Sequence, residues 1–222
     1  MAYAISTSDA GAVRLYSFFR SSAAYRVRIA LRLKGLGFET IPVNLRAGEQ
    51  RSADYLAVNP QGLTPALEIN GAVIGQSLAI LDYLDSVVPA PRLIPLHPLE
   101  RARVLAFAQT VACDVHPLSN LRVLNWLRER VSNEEIAAWN SRWIAEGLAA
   151  LETMAARYAG DYCFGAALTV ADVCLVPQIA NARRFSVDLT PYPRLVDIDA
   201  RLRLDPAFLE AAPENQPDFV AG

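Results

Sequence analysis

Four prolines, Pro89, Pro91, Pro95 and Pro98, fall within ten residues, and the hydrophobic grammar of the chain differs on their two sides. Proline neither continues a helix nor sits inside a sheet ladder, so a cluster this dense marks a boundary between folding units. Before it, short apolar runs alternate with helical stretches. After it, apolar residues recur only at helical spacing. The expected organisation is a mixed domain over 12–88, a linker over 89–98 and an all-helical domain over 99–212. A length of 222 residues suits one large domain or two small ones.

Within the first domain, residues 13–18 are apolar and aromatic, as a buried strand would be. Residues 22–36 place Val27, Ala30 and Leu31 at helical spacing and close on Gly35 and Gly37, as a helix end should. Residues 38–43 read as the next strand, which makes a βαβ unit. A helical stretch over 49–57 follows, then short strands over 65–69 and 72–75, then a helix over 77–88. Asn70-Gly71 between the strands signals a type I′ hairpin. Ser77 is expected at the N-cap of the helix behind it. The order βαβ, helix, ββα is a thioredoxin-like arrangement.

In the second domain, Val104, Ala108, Val111, Val115 and Leu118 share one helical face. Ile136, Trp139, Trp143, Gly147, Leu151, Met154 and Tyr158 form another stripe. Thr169 and Asp172 make a capping box at the start of a further helix. The fold class is α/β plus all-α: a thioredoxin-like domain followed by a helical bundle.

Composition excludes several functions. Hydrophobic residues make up 53% of the chain and the formal net charge is −2, so no strong field invites nucleic acid. No stretch reaches the ~20 apolar residues that a membrane span needs. Residues 1–11 lack the basic patch and apolar run of a secretory signal and read as an extension; 213–222 read as a polar tail. Cys113, Cys163 and Cys174 lack CxxC spacing, which argues for a reducing, cytoplasmic setting. His116 and Cys113 offer too few ligands for a metal, so none is expected. The 21 basic residues are nearly all Arg, the side chain suited to bidentate carboxylate recognition.

Five short stretches carry possible chemistry. Arg20-Ser21-Ser22 lies directly before a helix, where backbone N–H groups favour an anion and a serine hydroxyl can donate to it; the plainer reading is an N-cap serine. Thr64-Pro65 precedes a strand, so a cis bond there would turn Thr64's backbone toward an extended peptide; the plainer reading is a turn proline. Gln76-Ser77 opens a helix and can hold a carboxylate as well as cap it. Asn120 and Arg122 near His116 form a polar patch on an apolar helix. Arg183-Arg184 ends the capped helix, where positive charge is favourable in itself.

In order along the chain, these segments resemble one family. Residues 21–31, Ser21-Ser22-Ala23-Ala24-Tyr25-Arg26-Val27-Arg28-Ile29-Ala30-Leu31, resemble the SSCSWRVRIAL signature of zeta-class glutathione transferases. The segment from Asn59-Pro60-Gln61-Gly62 to Leu67, the Gln76-Ser77-Leu78-Ala79-Ile80 run, and residues 114–124, 169–172, 177–185 and 188–193 each match that class in register. The similarity spans about 13–213. Ala23 replaces the motif's Cys and Tyr25 its Trp, so any positioning role of that thiol is absent.

The resemblance implies a glutathione transferase fold, glutathione as cofactor and homodimers. It also implies an isomerase that converts maleylacetoacetate to fumarylacetoacetate in phenylalanine and tyrosine breakdown. Alternatives are a maleylpyruvate isomerase, a general transferase or dehalogenase, and a non-catalytic interaction module. It further assigns Ser21, Ser22 and Arg20 to catalysis, and Gln61, Thr64, Pro65, Gln76 and Ser77 to glutathione. Arg184, Arg122, His116 and Asn120 fall to a small dicarboxylate or keto-acid substrate.

Overall fold

The computed structural model describes residues 13–220; the extension expected over 1–11 lies outside the described residues. The described residues form two units. Ile94–Leu204 is one; the residues up to Leu93 and from Asp205 onward are the other.

The first unit contains a four-stranded sheet: β1 (Arg14–Ser17), β2 (Glu39–Pro42), β3 (Ala66–Ile69) and β4 (Ala72–Gly75), in the order β2-β1-β3-β4. β1 runs parallel to β2, antiparallel to β3, and β3 antiparallel to β4. β1 and β3 are central and nearly continuously buried, whereas the edge strands β2 and β4 are partly exposed. Asn70 and Gly71 both have positive φ (51° and 75°), as a type I′ hairpin requires.

Helix α1 (Ser22–Leu33) is shorter than the expected 22–36. Gly35 adopts φ +65°, its N–H donates to Arg32, and Leu36 N–H donates to Leu31, so a Schellman motif stops the helix. A 3₁₀ turn, Glu49–Arg51, and α2 (Ala53–Val58) fill the expected 49–57 stretch, and α3 (Ser77–Val87) packs against α1.

The second unit is helical: α4 (Pro98–Gln109), α5 (Leu121–Arg128), α6 (Asn133–Tyr158), α7 (Val170–Arg184) and α8 (Pro193–Leu202). Between α4 and α5 the chain widens into a π-helical turn, Thr110–Val115, and tightens into a 3₁₀ turn, His116–Ser119. The buried face of α6 is Ile136, Asn140, Ile144, Gly147, Leu148, Leu151 and Ala155. The expected stripe coincides with it only in part: Ile136, Gly147 and Leu151 are buried, whereas Trp139, Trp143, Met154 and Tyr158 lie along its flank and are half-buried. Gly147 is required there, since a Cβ would lie 2.1 Å from Val115 Cγ2. Thr169 caps α7 in the expected box with Asp172.

Among the described residues the last α-helix is α9 (Pro206–Ala211), which packs on α1 and belongs to the first unit; a 3₁₀ turn, Pro213–Asn215, follows it. The expected helical domain ran to residue 212. The tail expected over 213–222 is not wholly free: the Phe19 N–H donates to Asp218 at 2.9 Å, and the Phe219 ring meets Phe19 edge-on.

Candidate active site

At the end of β1, the Ser21 N–H donates to the Phe18 carbonyl at 2.9 Å and closes a tight turn with Phe19 and Arg20 at its corners. Ser21 is the N-cap of α1, and its Oγ accepts the Ala24 N–H at 3.2 Å. That bond uses an oxygen lone pair and leaves the hydroxyl hydrogen to donate elsewhere. The cap reading of Ser21 holds, and it is compatible with the donor reading. Ser22 is the first helical residue and is half-buried. The Arg20 guanidinium lies 5.7 Å from the Phe19 ring centre.

Strand register brings the other segments to the same end of the sheet. Tyr16 pairs with Ala66, and Ala66 with Gly75. One or two further steps in that register carry Thr64-Pro65 past the ladder, beside Gln76-Ser77 and beside the 18–21 turn. The Thr64–Pro65 peptide is cis. The preceding loop is tied down at Leu63, whose carbonyl accepts from Asn59 Nδ2 and from the Tyr55 hydroxyl, both at 2.7 Å. Burial, the main cause, pushes the Tyr55 phenol up to about 12, so it remains a donor at neutral pH. Gly62, at φ +59°, allows the loop to pass so close to Gln50 that a Cβ would sit 2.8 Å from its carbonyl oxygen. Thr64 Oγ1 and Gln50 Oε1 are buried without hydrogen-bond partners among the described residues.

At the head of α3, Ser77 is the first helical residue rather than the expected N-cap. Gln76 holds the cap position at φ 66° and makes no side-chain cap bond. Its amide instead donates to Gln61 Oε1 at 2.9 Å. The Ser77 hydroxyl accepts from Arg26 Nη1 at 3.2 Å, and Arg26 is buried within α1. A buried cation beneath a helix N-terminus makes this spot attractive to a carboxylate.

Arg26, Arg28, Gln50 and Asn59 belong to none of the candidate positions named from the sequence. The signal was there for the two arginines: they interrupt an apolar helix core, and a buried arginine needs dedicated acceptors. Arg28 has them in Ala211, Ser17 and Phe19. Tyr25, where the motif has Trp, donates its hydroxyl to the Phe208 carbonyl at 3.1 Å.

The remaining candidates belong to the second unit. His116 opens the 3₁₀ turn and is half-buried. Two contacts to α6 set that turn: Val115 against Gly147, and Trp139 Nε1 donating to the Leu118 carbonyl at 2.8 Å. Asn120 is the N-cap of α5 and accepts the Arg122 N–H at 3.1 Å; Arg122 itself is exposed. The two arginines ending α7 differ. Arg183 pairs with the buried Asp199 at 2.6 Å, while Arg184 takes Asn181 Oδ1 at 2.7 Å and stacks on Phe185. Among the described residues, no cluster of three or more His, Cys, Asp or Glu side chains could hold a metal ion.

Residues 11–86 match the family model for the glutathione S-transferase N-terminal domain, and 137–204 that for the C-terminal domain. A probable maleylacetoacetate isomerase of Vibrio cholerae is 50% identical over 208 residues, 92% of this chain and 97% of the relative. The holo structure of a bacterial zeta-class maleylpyruvate isomerase superposes with a TM-score of 0.91 at 43% identity, covering 93% of this chain and all of that one. A maleylacetoacetate isomerase from Anaeromyxobacter dehalogenans, solved with glutathione in its active site, gives 0.86 at 44% identity, with 94% and 98% covered.

Proposed function

The chain belongs to the glutathione transferase family, in its zeta class, and on that premise we propose that it isomerises maleylacetoacetate to fumarylacetoacetate with glutathione as cofactor. The observation that carries this reading is the convergence of the Ser21 hydroxyl, the Thr64 edge and the Ser77–Arg26 pair at one end of the sheet.

The residues fit a bound glutathione. Thr64 Oγ1 and Gln50 Oε1 are buried polar atoms without hydrogen-bond partners among the described residues. Thr64 lies just beyond the β3 ladder, where it can pair with a peptide backbone. Ser77 and Gln76 at the α3 N-terminus take the γ-glutamyl carboxylate, and Gln61, held by Gln76, lines the peptide. Pro65 shapes the turn between them.

When bound, glutathione supplies a thiolate that adds reversibly to the conjugated cis alkene and so permits rotation about it. Ser21 keeps the sulfur ionised. A thiol near pKa ~8.5 must fall by about two units, which takes roughly 2.7 kcal/mol. A hydrogen bond to a charged acceptor supplies ~1.5–3 kcal/mol. The α1 N-terminus, where Ser22 sits, adds ~0.3–1 kcal/mol. Ser21 thus acts as a donor that keeps its proton. Arg20 stabilises charge that develops on the substrate carbonyl oxygen. In the second unit, Arg184 is the first assignment for a substrate carboxylate, with Arg122, His116 and Asn120 behind it. The setting we propose is a cytoplasmic homodimer serving aromatic amino acid breakdown.

Similarity to a maleylpyruvate isomerase favours a second reading in which maleylpyruvate is the substrate. Purified protein, glutathione and each maleyl keto acid, assayed side by side for the fumaryl product, decide between them. Absence of both turnover and thermal stabilisation at millimolar glutathione would leave only a non-catalytic module.

A further inference from the structure

We propose that Asp218, close to the C-terminus, is a positioning residue for Ser21: its carboxylate holds the turn that presents the serine hydroxyl to the glutathione sulfur. The inference rests on the isomerase reading above and adds a part to that site.

The turn over 18–21 is fixed at its first corner from both sides. Asp218 Oδ2 accepts the Phe19 N–H at 2.9 Å. On the other side of Phe19, its carbonyl accepts Arg28 Nη2 at 3.2 Å. Arg28 is itself anchored to the Ala211 carbonyl at 2.8 Å and to Ser17 Oγ at 3.1 Å. The Phe219 ring, next to Asp218, meets the Phe19 ring edge-on at 5.5 Å. Two residues further on, Ser21 caps α1. Both peptide groups of the corner residue are therefore held by groups outside the turn, and the dihedral angles that aim Ser21 have little freedom left.

The role is geometric. A carboxylate near the sulfur opposes thiolate formation, so its charge alone would work against the reaction. Arg28, buried and Coulombically coupled to Asp218, offsets that charge. Hydrogen-bond acceptance and charge compensation can be separated by substitution. Asp218→Asn keeps an acceptor for Phe19 and removes the charge. Asp218→Glu keeps the charge and displaces the acceptor by one methylene. Asp218→Ala removes both.

The experiment is an ultraviolet titration of enzyme-bound glutathione, with kcat and KM across pH and the thermal midpoint of each variant. Asp218→Ala is expected to raise the bound-thiol pKa by about one unit and so to lower kcat roughly threefold at neutral pH, approaching tenfold at pH values below the native thiol pKa. Asp218→Asn should titrate at or below the native thiol pKa although its thermal midpoint falls, because Arg28 loses its counter-charge. Asp218→Glu should keep its midpoint and shift in titration, and it reports even where the alanine variant does not fold. Titration of Asp218→Ala and Asp218→Glu like the native chain, with only stability changed, overturns the proposal. So does an asparagine variant as impaired in titration as the glutamate one. Ser21→Ala is the control. If it shifts the thiol and the Asp218 variants do not, only the positioning role fails; if Ser21→Ala leaves the thiol unchanged, the reading of Ser21 fails and takes Asp218 with it.

Discussion

Ser21 does two jobs through different parts of one hydroxyl. Its oxygen caps α1 through a lone pair, and its hydrogen is not used by that bond. Ser21→Ala therefore has two separable costs. Loss of the cap lowers stability by roughly 0.5–2 kcal/mol. Loss of the charge-assisted bond, about 1.5–3 kcal/mol, should lower kcat some 10–100-fold and raise the bound-thiol pKa. Steady-state kinetics and chemical denaturation on the same preparation separate the two. Gly147 carries a different constraint. A methyl group there would overlap Val115, so Gly147→Ala should destabilise the chain by roughly 1–3 kcal/mol in urea melts. Because Val115 precedes His116, the substitution should also disturb the turn that carries that histidine.

Among elements, α1 and α3 are joined by a buried ion pair. The only lysine in the sequence, Lys34, lies at the end of α1 with its ammonium 2.7 Å from Asp85 of α3. Asp85 also accepts the Leu93 N–H and Arg92, so the pair ties the chain beyond α3 to the sheet unit. Lys34→Met strands a buried carboxylate and should cost roughly 3–5 kcal/mol, lessened by Arg92. Adding Asp85→Leu should recover part of the loss, since it removes the stranded charge but takes the acceptor from the Leu93 N–H, and denaturant midpoints of both variants test it. At α7, Asp172 accepts from Cys163 N–H, Thr169 N–H and Thr169 Oγ1 at 2.8–3.0 Å. Burial nevertheless raises its carboxyl above the ordinary 3.8, against the pull of those bonds. A raised pKa means the folded chain holds this proton more tightly than the unfolded one. Its contribution is full below the unfolded value and declines as pH rises through the folded value. Native stability minus that of Asp172→Asn should therefore fall as pH climbs from about 4 towards neutrality.

For the whole molecule, the far end of the chain completes the first unit. α9 supplies carbonyl acceptors to two buried α1 side chains, Ala211 to Arg28 and Phe208 to Tyr25. A chain ending at Leu204 would leave a buried guanidinium with fewer acceptors and bare the apolar face of α1 that α9 covers. We expect that truncation to lose cooperative thermal unfolding of the first unit and its stabilisation by glutathione, which calorimetry would show. The same long-range bonds explain what was hidden from a linear reading. Residues 205–212 look like one more helix of the bundle, because helical periodicity does not say which core an amphipathic face will join.

Local pattern by itself determined the division at the proline cluster, the strand and helix order, the I′ hairpin at Asn70-Gly71, the Gly35 helix stop and the Thr169–Asp172 box. Each depends on neighbours a few residues apart, through backbone dihedrals, capping bonds and periodicity. Tertiary structure alone decided which polar groups meet across the fold: Arg26 beneath Ser77, Arg28 and Asp218 on either side of Phe19, and Arg183 against Asp199. Those choices follow from burial, because a polar atom removed from water must find a partner wherever the packed chain offers one, and no short stretch of sequence specifies where that will be.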